Sequence, residues 1–104
     1  MQNPQKGFYY HYKHDPQGSV NNYAYEVVAI GKSSEVETEK FVIYRPIRES
    51  EYYENGKYYG VRPLEMFMDK NFEKDGKIIP ERFQKITDEK VISELIKIRD
   101  EMYK

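Results

Sequence analysis

No cysteine occurs in the 104 residues of the chain. That excludes a disulfide framework, a thiolate nucleophile and a cysteine-based zinc site, and it suits a reducing compartment. Long apolar runs are also missing. Nothing approaches the roughly 18 residues of a spanning helix, and the opening MQNPQKGFYYHYK has no apolar core of signal-peptide length. The expectation is a soluble, cytoplasmic protein with no membrane partner. An excess of charge of one sign is lacking too: 17 basic residues against 18 acidic ones leave a net charge of −1, mixed along the chain. Such a balance offers no footprint for extended nucleic acid. The chain has no G-x-S-x-G elbow, P-loop, G-x-G-x-x-G turn or H-E-x-x-H helix, so no cofactor is expected and binding is favoured over catalysis.

Aliphatic residues are scarce. With its 11 tyrosines set aside, apolar residues and glycine together make up about a third of the chain, below the roughly 45 to 50% of ordinary globular domains. Tyrosine must supply part of the core. Because its hydroxyl needs a partner when buried, many tyrosines are expected at the core boundary, ring packed and oxygen wet. The length suits one domain spanning residues 1–104.

The pattern along the chain is mainly β. Phe8 to Lys13 alternates, placing Tyr9, His11 and Lys13 on one side of a first strand. His14 to Asn22 reads as an exposed loop, Tyr23 to Ile30 as a second strand, and Glu39 to Ile47 as a third, with Val42 and Tyr44 facing away from Phe41, Ile43 and Arg45. Asn55-Gly56 signals a type I′ hairpin leading into the aromatic strand Tyr58–Tyr59. The segment YYGVRPLEMF then ends that strand at Pro63, whose ring also pushes Arg62 toward extended geometry. A second hairpin signal stands at Asp75-Gly76, and Arg82 to Ile86 reads as a short last strand. Thr87 is the expected cap of a helix over 87–103 whose apolar stripe is Val91, Leu95, Ile98 and Met102. These elements predict a small antiparallel SH3-like barrel, or a strongly bent sheet of five or six strands, with one C-terminal helix.

Gly7, Tyr9, His11, Tyr12 and Lys13, then Tyr25 and Val27, Ser34, Glu35 and Glu39, Val42 and Tyr44, then Val61, Arg62, Pro63, Met66 and Phe67, and finally Gly76, Arg82 and Phe83 make up an ordered set of landmarks. In that order they resemble the small bacterial proteins grouped as domain-of-unknown-function family 1653, over roughly residues 7 to 86. The most specific pieces are the G-x-Y-x-H-Y-K start and the V-R-P-x-x-M-F segment. Two positions depart from the family pattern: Ser33-Ser34-Glu35-Val36 replaces a His-Ser-Glu-Thr run, and Gly60 stands where a tryptophan is usual. The resemblance implies a fold pattern and a candidate site, and no activity.

Arg62 is the leading candidate for chemistry. A planar fork on stiff backbone suits bidentate capture of a carboxylate or phosphate, although an ion pair with Glu65 or Glu35 would equally lock the corner. His11 and Lys13 join it in a positive set. Tyr9, Tyr44 and Tyr59 are candidate faces for stacking a base, and Glu35 completes the set. His11, His14 and Asp15 are a weak metal pattern without a third fixed ligand, so no metal is expected. The readings carried forward are a non-catalytic module for a small anionic ligand such as a nucleotide, a protein-interaction module using a tyrosine-rich surface, with self-association open, and, least favoured, a small hydrolase using Glu35 or His11.

Overall fold

The structure, a computed structural model, describes residues 3–48, 51–54 and 56–104. Strands β1 (Gly7–His11), β2 (Ala24–Lys32) and β3 (Lys40–Pro46) are followed by a single helical turn α1 (Glu51–Glu54), β4 (Gly60–Pro63) and a second turn α2 (Leu64–Phe67). The hairpin strands β5 (Lys70–Lys74) and β6 (Lys77–Glu81), the short β7 (Phe83–Lys85) and the helix α3 (Glu89–Met102) complete the chain. One antiparallel sheet runs β4-β3-β2-β1-β7, and β5-β6 forms a separate two-stranded ribbon. The mainly β class with one C-terminal helix is therefore as expected. The larger sheet is strongly bent and does not close into a barrel.

Strand alternation divides the apolar residues between its two faces. Tyr9, Val27, Val42 and Tyr44 lie on the first face, with Leu64, Phe67 and Phe83 packed over them. Phe67 follows β4 at one edge and Phe83 belongs to β7 at the other, yet their rings stack at 4.3 Å and 7°. A flat sheet would hold those edges four strand spacings apart, about 19 Å. The bend is what brings them together.

The second face carries Phe8, Ala24, Ile47 and Ile86, covered by Leu95 of α3. Glu26 on this face accepts from Arg45 at 3.0 Å and from Arg99 of the helix at 2.8 Å. The hydroxyl of Tyr103, just past the helix, donates to the Pro46 carbonyl at 2.6 Å, and burial pushes its pKa up to about 12. The cap is Asp88 rather than Thr87: its carboxylate accepts from the Lys90 and Val91 amides. Aspartate at that position also places charge at the positive end of the helix dipole.

Several strand boundaries differ from expectation. β1 ends at His11, and Lys13 sits in the following turn, exposed. Tyr58 and Tyr59 precede β4 and are exposed rather than paired. Asn55 of the anticipated Asn-Gly turn lies outside the described residues. The chain reaches that point through the helical turn α1, and β4 pairs with β3 instead. Asp75 and Gly76 do form the anticipated tight turn, with φ of 51° and 78°, between β5 and β6. Gly60 has a different use. A Cβ there would lie 2.9 Å from Cζ of Tyr44, so the missing side chain is what lets that ring lie across β4.

Removing Glu26 leaves two half-buried arginines without their shared acceptor. Glu26→Ala is expected to cost about 1–3 kcal/mol, read by urea unfolding. A loss below about 0.5 kcal/mol, the range of neutral surface changes, would show that this pair does not tie α3 to the sheet.

Candidate functional site

His11 is the last residue of β1, paired with Phe83 of β7. Its ring is half-buried and enclosed by aromatics: Tyr12 at 4.3 Å, Phe83 at 5.1 Å edge-on and Tyr23 at 5.8 Å. Arg62, extended between Val61 and Pro63, shares the first face, opposite Val42. Its guanidinium lies 5.4 Å from the centre of the same Phe83 ring that His11 touches. Imidazole and guanidinium, from strands three places apart in the sheet, thus lie against one phenylalanine.

Two further arginines complete the cluster. Arg48, just past β3, stacks at 4.5 Å on Tyr23. Arg82, between β6 and β7, stacks at 4.2 Å on Phe72 and donates to Asp69 at 3.1 Å. The Nε atoms of Arg48, Arg62 and Arg82 are all buried without a hydrogen-bond partner among the described residues. A buried donor left unmade costs on the order of 1–3 kcal/mol, more when charged. Neither Arg48 nor Arg62 has a carboxylate within ion-pair distance among the described residues. The alternative of a corner lock to Glu65 or Glu35 is therefore not what holds Arg62; both glutamates are exposed.

Burial, then Arg62, Lys13, Arg82 and Arg48 in that order, hold the His11 pKa down to about 4. Hydrogen bonding agrees: the Lys13 amide donates to Nδ1 at 3.2 Å, which requires an unprotonated Nδ1 and leaves Nε2 to carry the proton. The site is therefore a neutral imidazole donor among arginines, poor as a metal ligand set and well supplied with donors for an anion. Among the described residues no three His, Asp or Glu side chains group to hold a metal. His14 turns away, bonding the Asn22 carbonyl through Nδ1 at 2.7 Å and stacking on Tyr10 at 3.5 Å.

The other expected members scatter. Lys13 stays beside His11, through its amide and its charge. Tyr9 and Tyr44 are core residues, 6% and 5% exposed, and offer no free face. The Tyr9 hydroxyl donates to the Gln5 carbonyl. Tyr59 is exposed but lies against Arg45, whose guanidinium packs on Tyr103 over the helix-covered face. Glu35 is in the loop joining β2 to β3, beyond Lys32, whereas His11 adjoins the Tyr23 end of β2. Eight residues of strand separate those ends, about 26 Å at the usual rise.

Arg48, Arg82 and Tyr23 were not among the expected site residues. The chain did carry a signal for them: Pro46, Pro63 and Pro80 each fall within two residues of one of the three arginines. Clefts of about 180, 530 and 630 Å³ open elsewhere, none lined by His11 or Arg62. The cluster is gathered around the Phe83 and Tyr23 rings.

A histidine whose pKa is lowered on folding takes up its proton more readily when unfolded. Its contribution disfavours the folded state increasingly as pH falls from about 6.5 toward 4, and is absent above that window. The His11 imidazole should titrate near 4 by NMR, and His11→Phe should flatten the loss of stability between pH 6.5 and 4.5 in urea unfolding. A midpoint near 6.5 would contradict the enclosure described.

No curated protein and no solved structure matches the chain. A family model described as "Protein of unknown function (DUF1653)" matches residues 7–85. That span runs from the first residue of β1 through the last of β7, taking in His11, Arg48, Arg62 and Arg82, and the chain belongs to this family.

Proposed function

We propose that the protein is a non-catalytic binding module for a small anionic ligand, held at the end of the bent sheet by Arg62, Arg48 and Arg82 around His11, with Lys13 at the rim. The observation that carries the reading is the set of three buried, unpartnered arginine Nε donors beside an imidazole kept neutral. Charged groups without a counter-charge are costly in a protein interior, and an anion supplies that charge to the cluster. Tyr12 and Tyr23 flank the cluster and suit a planar group such as a base. The tyrosine part of the site thus moves from Tyr9, Tyr44 and Tyr59 to these two. No carboxylate stands beside His11 to make it a general base, which leaves the hydrolase reading without a partner residue among those described.

The test is titration of the protein with inorganic phosphate and a nucleoside monophosphate, followed by NMR. The His11 and Arg62 signals should shift saturably, and Arg62→Gln should weaken binding about ten- to a hundred-fold, the loss of one charge-assisted contact. A folded Arg62→Gln protein with undiminished affinity would refute the assignment.

A protein-interaction surface is the second reading. It is favoured by the open edge of β4, where Val61 and Tyr58 are each 62% exposed, beside Tyr59 and Met66. Were it correct, Val61→Lys would abolish association with the partner, or with a second copy, and leave the His11 signals unchanged.

A further inference from the structure

Resting on the anion-binding reading, we infer that the site selects a doubly charged tetrahedral oxyanion, a phosphate monoester, over carboxylates and phosphate diesters. Charge sets the preference first. Arg82 is offset by Asp69 at 3.1 Å, and His11 is neutral, its Nδ1 occupied by the Lys13 amide. Lys13 is exposed and projects from a turn. Two half-buried cations remain without a carboxylate among the described residues, Arg48 and Arg62, and a dianion balances them. A carboxylate or a diester, each carrying one charge, leaves one half-buried guanidinium uncompensated.

Donor number and shape point the same way. Two guanidinium forks and one imidazole N–H, each against the Tyr23 or Phe83 ring, offer more donors than two oxygens use, and three terminal oxygens of a phosphate monoester can engage more of them. A carboxylate has two oxygens in one plane, and a diester has two unesterified ones. Each fork is also backed by a ring, Arg48 by Tyr23 and Arg62 by Phe83. Both rings in turn pack on His11. Held against those rings, the guanidinium planes lose little freedom when the ligand arrives, which favours a ligand that engages both at once.

Methyl phosphate, dimethyl phosphate, acetate and sulfate, each titrated at pH 7.5 and constant ionic strength and followed at His11, separate the possibilities. Methyl phosphate is expected to bind at least tenfold more tightly than dimethyl phosphate or acetate, and sulfate to compete with it. Arg48→Gln, if folded, should reduce the dianion preference to near unity while weaker binding persists. If Arg48→Gln does not fold, the comparison of the four anions on the unmodified protein decides alone. Equal affinity for dianions and monoanions at His11 would overturn this inference and leave the small-anion module standing. No saturable shift with any of the four would overturn both.

Discussion

Phe67 and Phe83 lie flat on one another at 4.3 Å, and most of the molecule's arrangement follows from that contact. They stand at the two edges of a five-stranded sheet that never closes by hydrogen bonds. Joining those edges through side chains curves the sheet around Tyr9, Val27, Val42 and Tyr44. It also brings Arg62, fixed by the proline after it, to the Phe83 ring that His11 touches. Aliphatic poverty explains why aromatics have this role: rings bury large areas per residue and reach across a bend that shorter side chains could not span. The other face is closed by one amphipathic helix anchored through Leu95, Arg99 and Tyr103.

The cationic cluster is a consequence of the same curvature. Arg48, Arg62 and Arg82 come from three separate strand ends, and each rests on a ring. Stacking retains part of the stabilisation an arginine loses on leaving water, but it does not satisfy an N–H. Three such donors left open together, where Glu26 elsewhere satisfies two arginines at once, mark this end of the sheet as unlike the remainder. The same contrast supports a binding role, because a purely structural arginine is served as Arg45 and Arg99 are.

Local signals in the sequence were reliable where the physics was local. Strand alternation in 8–13, cut short at His11, and in 39–47, the Asp75-Gly76 turn and the stripe of the final helix all rest on spacing alone, and each has its element in the structure. Arg62 and His11 were joined by their chemistry; that they share a face rests on the pairing of β4 with β3, which spacing alone does not give. The tyrosines were not. Whether a tyrosine is core or platform depends on the bend, which places Tyr44 over Gly60 and Tyr9 under Phe67. Arg48 and Arg82 were hidden for a different reason: each lies just outside a strand of the structure, although Arg82 reads as the start of one, and periodicity there carries no information about direction. Glu35 was set beside Arg62 by chemistry alone; it is exposed in the β2–β3 loop, at the opposite end of β2 from His11.

The central claim is that Arg48 and Arg62 hold open donors for one anion beside His11. A correlation spectrum of the arginine Nε–H groups, taken with and without methyl phosphate, tests it most directly. The account predicts that the Arg48 and Arg62 signals move together and saturate together while that of Arg99, already bonded to Asp100 and held by Glu26, stays in place. Arg48 and Arg62 signals that remain unmoved, or that move no more than Arg99, would contradict it.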